Sequence, residues 1–103
     1  MEQIYQIQMR TPIGDRWGTM TVVIDGRRVS GRMNLLGQAQ PFEGEMDSYG
    51  NCQITGTLTT LVRVFRFTAR GKILADYLEL VMPDGRNYFR ITGTPCGKEK
   101  SDT

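Results

Sequence analysis

Three segments of this chain repeat one pattern, a hydrophobic residue, any residue, glycine, any residue and a second hydrophobic residue: Val29-Ser30-Gly31-Arg32-Met33, Phe42-Glu43-Gly44-Glu45-Met46 and Ile54-Thr55-Gly56-Thr57-Leu58. Ile91-Thr92-Gly93-Thr94 echoes it. Glycine weakens a strand interior unless the sheet must curl or another backbone must come close. Repeated in mid-strand on the apolar face, it predicts a tightly coiled antiparallel sheet that closes into a small barrel.

Alternation with a period of two runs almost end to end, and no window repeats apolar residues with the helical spacing. The chain reads as all-β. Turn signals punctuate it at Pro12 to Asp15, Asp25-Gly26, Leu36-Gly37-Gln38, Asp47 to Gly50, Arg70-Gly71-Lys72 and Asp84-Gly85. A two-residue Asp-Gly loop dictates register. At Asp25-Gly26 it sets Ile24 opposite Arg27 and Val22 opposite Val29. The Gly37 turn then sets Met33 near Phe42, and the Asp47 loop sets Met46 near Cys52 and Phe42 near Gly56. Asp84-Gly85 pairs Met82 with Asn87 and Leu78 with Ile91. A turn at Arg70 to Lys72 pairs Val62 with Leu80, Val64 with Leu78 and Arg66 with Asp76.

These turns predict strands over residues 3–11, 17–24, 27–36, 40–46, 51–58, 61–70, 73–82 and 86–94. The expected fold is a single small closed antiparallel up-and-down β-barrel of about eight strands over residues 1–95, with 96–103 as a flexible C-terminal tail. Thr59-Thr60 contains neither Gly nor Pro, and a straight chain there gives the alternatives, a seven-stranded barrel or a two-sheet sandwich. Over residues 3 to 95 the pattern resembles the small meander barrels of the calycin kind, lipocalins and avidins. The resemblance is architectural: Trp17 precedes Gly18, whereas in the lipocalin signature the tryptophan follows a glycine with one residue between. It implies a barrel with a mouth for a small molecule and transfers no site residue.

Composition excludes several classes. Net charge is +2, with 13 basic against 11 acidic residues, far from the basic balance of a dedicated nucleic-acid binder. Arg10, Arg16, Arg27, Arg28 and Arg32 lack interleaved aromatics, and Glu43 and Glu45 are placed to neutralise them. Nucleic-acid binding is therefore disfavoured. The chain has no histidine, so the commonest general acid and base is missing, and no nucleophile elbow, phosphate-cradling loop, metal-ligand set or cofactor motif appears. Cys52 and Cys96 read as free thiols, the first a small core residue and the second the more reactive. Neither a leader pattern nor a membrane-length apolar run is present, which makes a cytoplasmic protein the expectation.

Two clusters are candidates for function. Arg66 and Asp76 fall on the predicted interior face with Val64, Leu74 and Leu78; they read either as a solvated pair at the barrel rim near the Gly71 turn or, as an ion pair in an apolar lumen, as a site for a ligand's polar group. Leu61, Phe65, Phe67, Ile73, Tyr77, Val81 and Tyr88 share the predicted outer face. A contiguous apolar face of this kind marks an interface, here of a homodimer. Arg63, Glu79 and Arg90 interrupt it as a ladder of charges. The sequence thus describes a non-enzymatic barrel that holds a small apolar or amphipathic ligand in its mouth and self-associates. The alternatives are an assembly domain with a filled core, or an isomerase or lyase using Asp76 as base.

Overall fold

The computed structural model describes residues 2–11, 14–35, 38–59, 64–84 and 87–96, without the side chains of Gln38, Phe65, Asp84 and Asn87. Eight antiparallel strands follow one another: β1 (Glu2–Thr11), β2 (Gly14–Asp25), β3 (Arg28–Leu35), β4 (Gln38–Met46), β5 (Asn51–Thr59), β6 (Val64–Ile73), β7 (Leu78–Asp84) and β8 (Asn87–Pro95). Each pairs with the next, and β8 returns to β1, closing the barrel. The closing ladder seats Ile7 on Gly93 and Met9 on Ile91, and the Cys96 N–H donates to the Ile4 carbonyl one step beyond it (2.9 Å). Thr59 pairs with Val64, so the chain does reverse after Thr59. The strand count is eight, and neither the seven-stranded barrel nor the open sandwich forms.

Alternate side chains converge inside. Val22, Met33, Phe42, Ile54, Leu78 and Ile91 are all at most 4% exposed and belong to one apolar cluster with Tyr5, Met20 and Leu58. The β4–β5 register is the expected one, Met46 on Cys52 and Phe42 on Gly56. The Asp47 turn between them is held as its sequence implies. The Asp47 Oδ1 accepts from the Tyr49 N–H (2.8 Å) and the Asn51 N–H (3.0 Å), an arrangement in which aspartate substitutes for a backbone turn partner.

Three hairpins differ from the expected register by two residues, which keeps every face. Asp25 pairs with Arg28, so that Gly26 and Arg27 form the loop. Gly26 takes φ 65°, the left-handed value that a primed turn needs at its first central position and that glycine reaches without strain. Asp84 pairs with Asn87 in the same way, leaving residues 85 and 86 between them. Met33 faces Gln40 rather than Phe42, and Phe42 lies against Gly31, where a Cβ on Gly31 would stand 3.1 Å from the Phe42 Cζ.

Strand β6 is the one element whose faces invert. The turn does not fall at Arg70 to Lys72: β6 continues to Ile73, the chain reverses over Leu74 to Tyr77, and Gly71 pairs with Leu80 and Ile73 with Leu78. Moving this turn by an odd number of register steps exchanges inside and outside. Phe67, Ala69 and Ile73 are therefore core residues at 4%, 0% and 2% exposure, whereas Val64 is 64% exposed and Arg66 points out. The expected pairings Val62–Leu80, Val64–Leu78 and Arg66–Asp76 do not form; Val62 itself lies outside the described residues. The reason is steric. Gly71 lies where β6 and β7 approach so closely that a Cβ would collide with the Glu79 carbonyl oxygen, so it serves as a gap in the strand and not as a turn residue. Ala69-Arg70-Gly71-Lys72-Ile73 is a further copy of the strand signature, weakened in appearance by its alanine.

The inverted face is testable by mutation. Phe67→Ala should cost about 3–5 kcal/mol, as for a buried phenylalanine, and Gly71→Ala about 1–3 kcal/mol or more through overpacking. Val64→Thr should stay within about 0.5 kcal/mol of the parent, as exposed substitutions do. Denaturant midpoints of the three variants check all of these together.

Candidate binding surfaces

The lumen is occupied by its own side chains. Tyr5, Met20, Met33, Leu35, Ile54, Leu58, Leu80 and Met82 are among the largest fully buried residues, and among the described residues no buried side-chain nitrogen or oxygen lacks a hydrogen-bond partner. Nothing polar inside is left waiting for a ligand. Tyr5 closes one end: its hydroxyl donates to the Leu74 carbonyl (2.5 Å), tying β1 to the β6–β7 turn. Burial foremost, and the nearby Asp76 carboxylate after it, push the Tyr5 phenol above its ordinary pKa.

The residues expected to form a lumen pocket are dispersed. Arg66 pairs across the sheet with Thr57 and faces outward. Asp76 is exposed in the β6–β7 turn, Leu74 is half-buried there, Val64 is exposed, and only Leu78 lies in the core. Arg66 and Asp76 are not brought together, because the pairing that would have joined them belonged to the misplaced turn. The apolar outer face is likewise divided. Phe67 and Ile73 are interior, Val81 is half-buried, and Tyr77 and Tyr88 are 38% and 63% exposed. Leu61 and Arg63 lie outside the described residues, as do the Phe65 side chain and the tail from Gly97 onward. The charge ladder survives in part: the Arg90 Nη2 stands 3.1 Å from the Glu79 Oε2. Across the barrel, on β3 and β4, Arg28 approaches Glu43 at 3.8 Å, so the basic cluster is partly neutralised.

Among the described residues the outside carries at least two grooves. The larger, about 630 Å³, runs over β8, β1 and β2. The registers arrange its side chains in two rows across the strands. Trp17, Gln8 and Thr92 form one row, and Thr19, Gln6 and Thr94 the other, with Tyr77 closing the far side. Trp17 is 68% exposed. Gln8 is held in place, its Nε2 donating to the Asp15 Oδ2 (2.9 Å). No lining residue is charged. The smaller groove, about 380 Å³, crosses β3 to β6 and includes Glu43, Thr57 and Arg66. The larger groove escapes a reading centred on β6 and β7, yet its signal is present in the sequence: Trp17 alternates in phase with Thr19 and Thr21, which places a bare indole on the polar face.

The closed ladder also has a weak stretch. The β4–β5 pairing stops at Phe42 opposite Gly56, beside Pro41. The β6–β7 pairing covers only Arg70–Ile73 against Leu78–Val81, with Pro83 further along β7. Proline has no N–H to give a ladder. Val64–Ala69 thus has strand partners in β5 and, among the described residues, none in β7. No group of acidic, cysteine or histidine side chains able to hold a metal occurs among the described residues, and no helix is long and apolar enough to cross a membrane.

No family model matches the chain, and neither a curated protein nor a solved structure does. The calycin resemblance accordingly stands at the level of architecture, a small closed antiparallel meander barrel.

The two cysteines are free and differ in environment. Burial, aided by the Asp47 charge and opposed by the Gly71 N–H, raises the Cys52 thiol to about 11 from 9.0. A thiol that ionises later in the folded state stabilises it below the unfolded pKa and loses that contribution as pH rises. Unfolding free energy should therefore fall between pH 9 and 11, with Tyr5 steepening the fall at the top of that range, and Cys52→Ala should flatten it. Denaturant titrations across this range provide the measurement. A thiol reagent should label Cys96 in the native protein and Cys52 only on unfolding.

Proposed function

We propose that the protein is a non-enzymatic assembly module that works from its outer surface and associates with a second copy of itself along β6. The observation that carries this reading is the short β6–β7 ladder, which ends at Arg70 opposite Val81 and leaves Phe67–Ala69 without a ladder partner among the described residues. Closure of the barrel removes most of its edges, but where one ladder runs short the backbone donors and acceptors beside it can serve as a template for another strand. A second β6 related by a two-fold axis meets that requirement with one self-complementary contact. Val64, more than 60% exposed, opens this strand and supplies apolar area to bury. The filled lumen supports an assembly role over a ligand held in the barrel mouth, since Arg66 and Val64 face outward. Two free cysteines suit a reducing compartment, and a cytoplasmic setting belongs to this reading.

Sedimentation velocity over a wide concentration range tests it. The parent chain should show a monomer–dimer equilibrium. Val64→Lys, which puts a charge at the edge, should yield monomer while leaving the thermal midpoint nearly unchanged. A parent chain that stays monomeric at every concentration, or an assembly indifferent to Val64→Lys, overturns the proposal.

A further inference from the structure

We propose that the groove between Trp17 and Tyr77 binds a neutral oligosaccharide. This inference is independent of self-association, because the groove lies on the β8–β1–β2 wall and not on the β6 edge. Its chemistry is unusual for the surface of a small barrel. Two aromatic side chains stand on either side of a field of two amides and three hydroxyls, and no lining residue carries a charge. From β2 to β7 is three strand spacings, roughly 14 Å at about 4.8 Å each. That is a span for several sugar rings rather than one.

A pyranose offers an apolar C–H face and a rim of hydroxyls, each both donor and acceptor. An exposed indole answers the first by dispersion over its flat face, and Tyr77 adds a second platform with a polar tip. Glutamine amides and threonine hydroxyls answer the second, since each also donates and accepts. The Gln8 amide is already oriented by its bond to Asp15, which lowers the ordering cost of binding. The groove volume falls within the range of ligand sites.

Other occupants of aromatic grooves fit less well. A single-stranded nucleic acid needs cations along its backbone. Here Arg90 is held by Glu79 and Arg10 faces Asp15 across the ladder. A proline-rich segment packs on aromatic ridges and its carbonyls accept from amides and hydroxyls, but its imide nitrogens donate nothing, so the acceptor oxygens of Gln6 and Gln8 would be covered without partners.

Trp17 is the chain's single tryptophan, so its emission reports on the groove directly. Soluble fragments of β-glucan, xylan, chitin and starch are titrated separately at up to millimolar concentration. The expected result is a saturable blue shift with at least one of them. By calorimetry, Trp17→Ala should weaken that binding at least tenfold. Gln8→Ala and Thr94→Val should weaken it several-fold, as read on the retained tryptophan, with thermal midpoints unchanged. These two variants decide the matter if Trp17→Ala does not fold. The assignment fails if no sugar shifts the emission, if the shift survives both polar variants unchanged, or if an oligothymidylate or a proline-rich peptide binds more tightly than any sugar.

Discussion

Close approach of strand backbones at glycines is the constraint on which the rest of this structure depends. At Gly18, Gly31, Gly44 and Gly71 a Cβ would collide with a carbonyl oxygen of the neighbouring strand. Each of these glycines faces the interior, where the curling sheet brings its elements nearest together. The space released is taken by large neighbours, as Phe42 does beside Gly31. An eight-stranded barrel is just wide enough for side chains to fill, and this one is filled by tyrosine, methionine, leucine and phenylalanine. A lumen packed in this way leaves chemistry to the outside, which is where both grooves lie.

The outer surface is organised by the same registers. Because every ladder from β7 through β8 and β1 to β2 is fixed, residues distant in sequence are set into straight rows. Gln8 lies between Trp17 and Thr92, and Gln6 between Thr19 and Thr94. The Glu79–Arg90 pair and the Arg10–Asp15 register neighbours sit at the border of this field, whose own lining carries no charge. The opposite wall has another character. There, among the described residues, the β4–β5 ladder ends beside Pro41 and the β6–β7 ladder is short, and the smaller groove carries the charges of Glu43 and Arg66.

Much of the fold was legible in the chain. The barrel, the strand number, the β4–β5 register and the interior positions of Val22, Met33, Phe42, Ile54, Leu78 and Ile91 all follow from alternation and turn residues. Where Asp-Gly was read as the loop and Gly-Arg formed it at residues 26 and 27, the two-residue slip left every face correct. The site was not legible to the same degree. Arg66 and Asp76 were joined through a turn at Gly71 that does not exist, and Phe67 and Ile73 were placed outside for the same reason. Trp17 is legible as an outward indole from its phase with Thr19 and Thr21, although it does not complete the lipocalin motif.

Within each strand, the sequence by itself determined which residues share a face, because side chains alternate whatever the surroundings. It could not determine which of the two faces of β6 turns inward. Glycine serves two purposes that look alike on paper, a left-handed turn residue as at Gly26 and a missing side chain where backbones touch as at Gly71. Only the packing of β6 against β7, with the Glu79 carbonyl in the space a Cβ would need, separates them. That tertiary choice carried the chain on to Leu74–Tyr77 before it turned, and with it set the inner and outer residues of the whole strand.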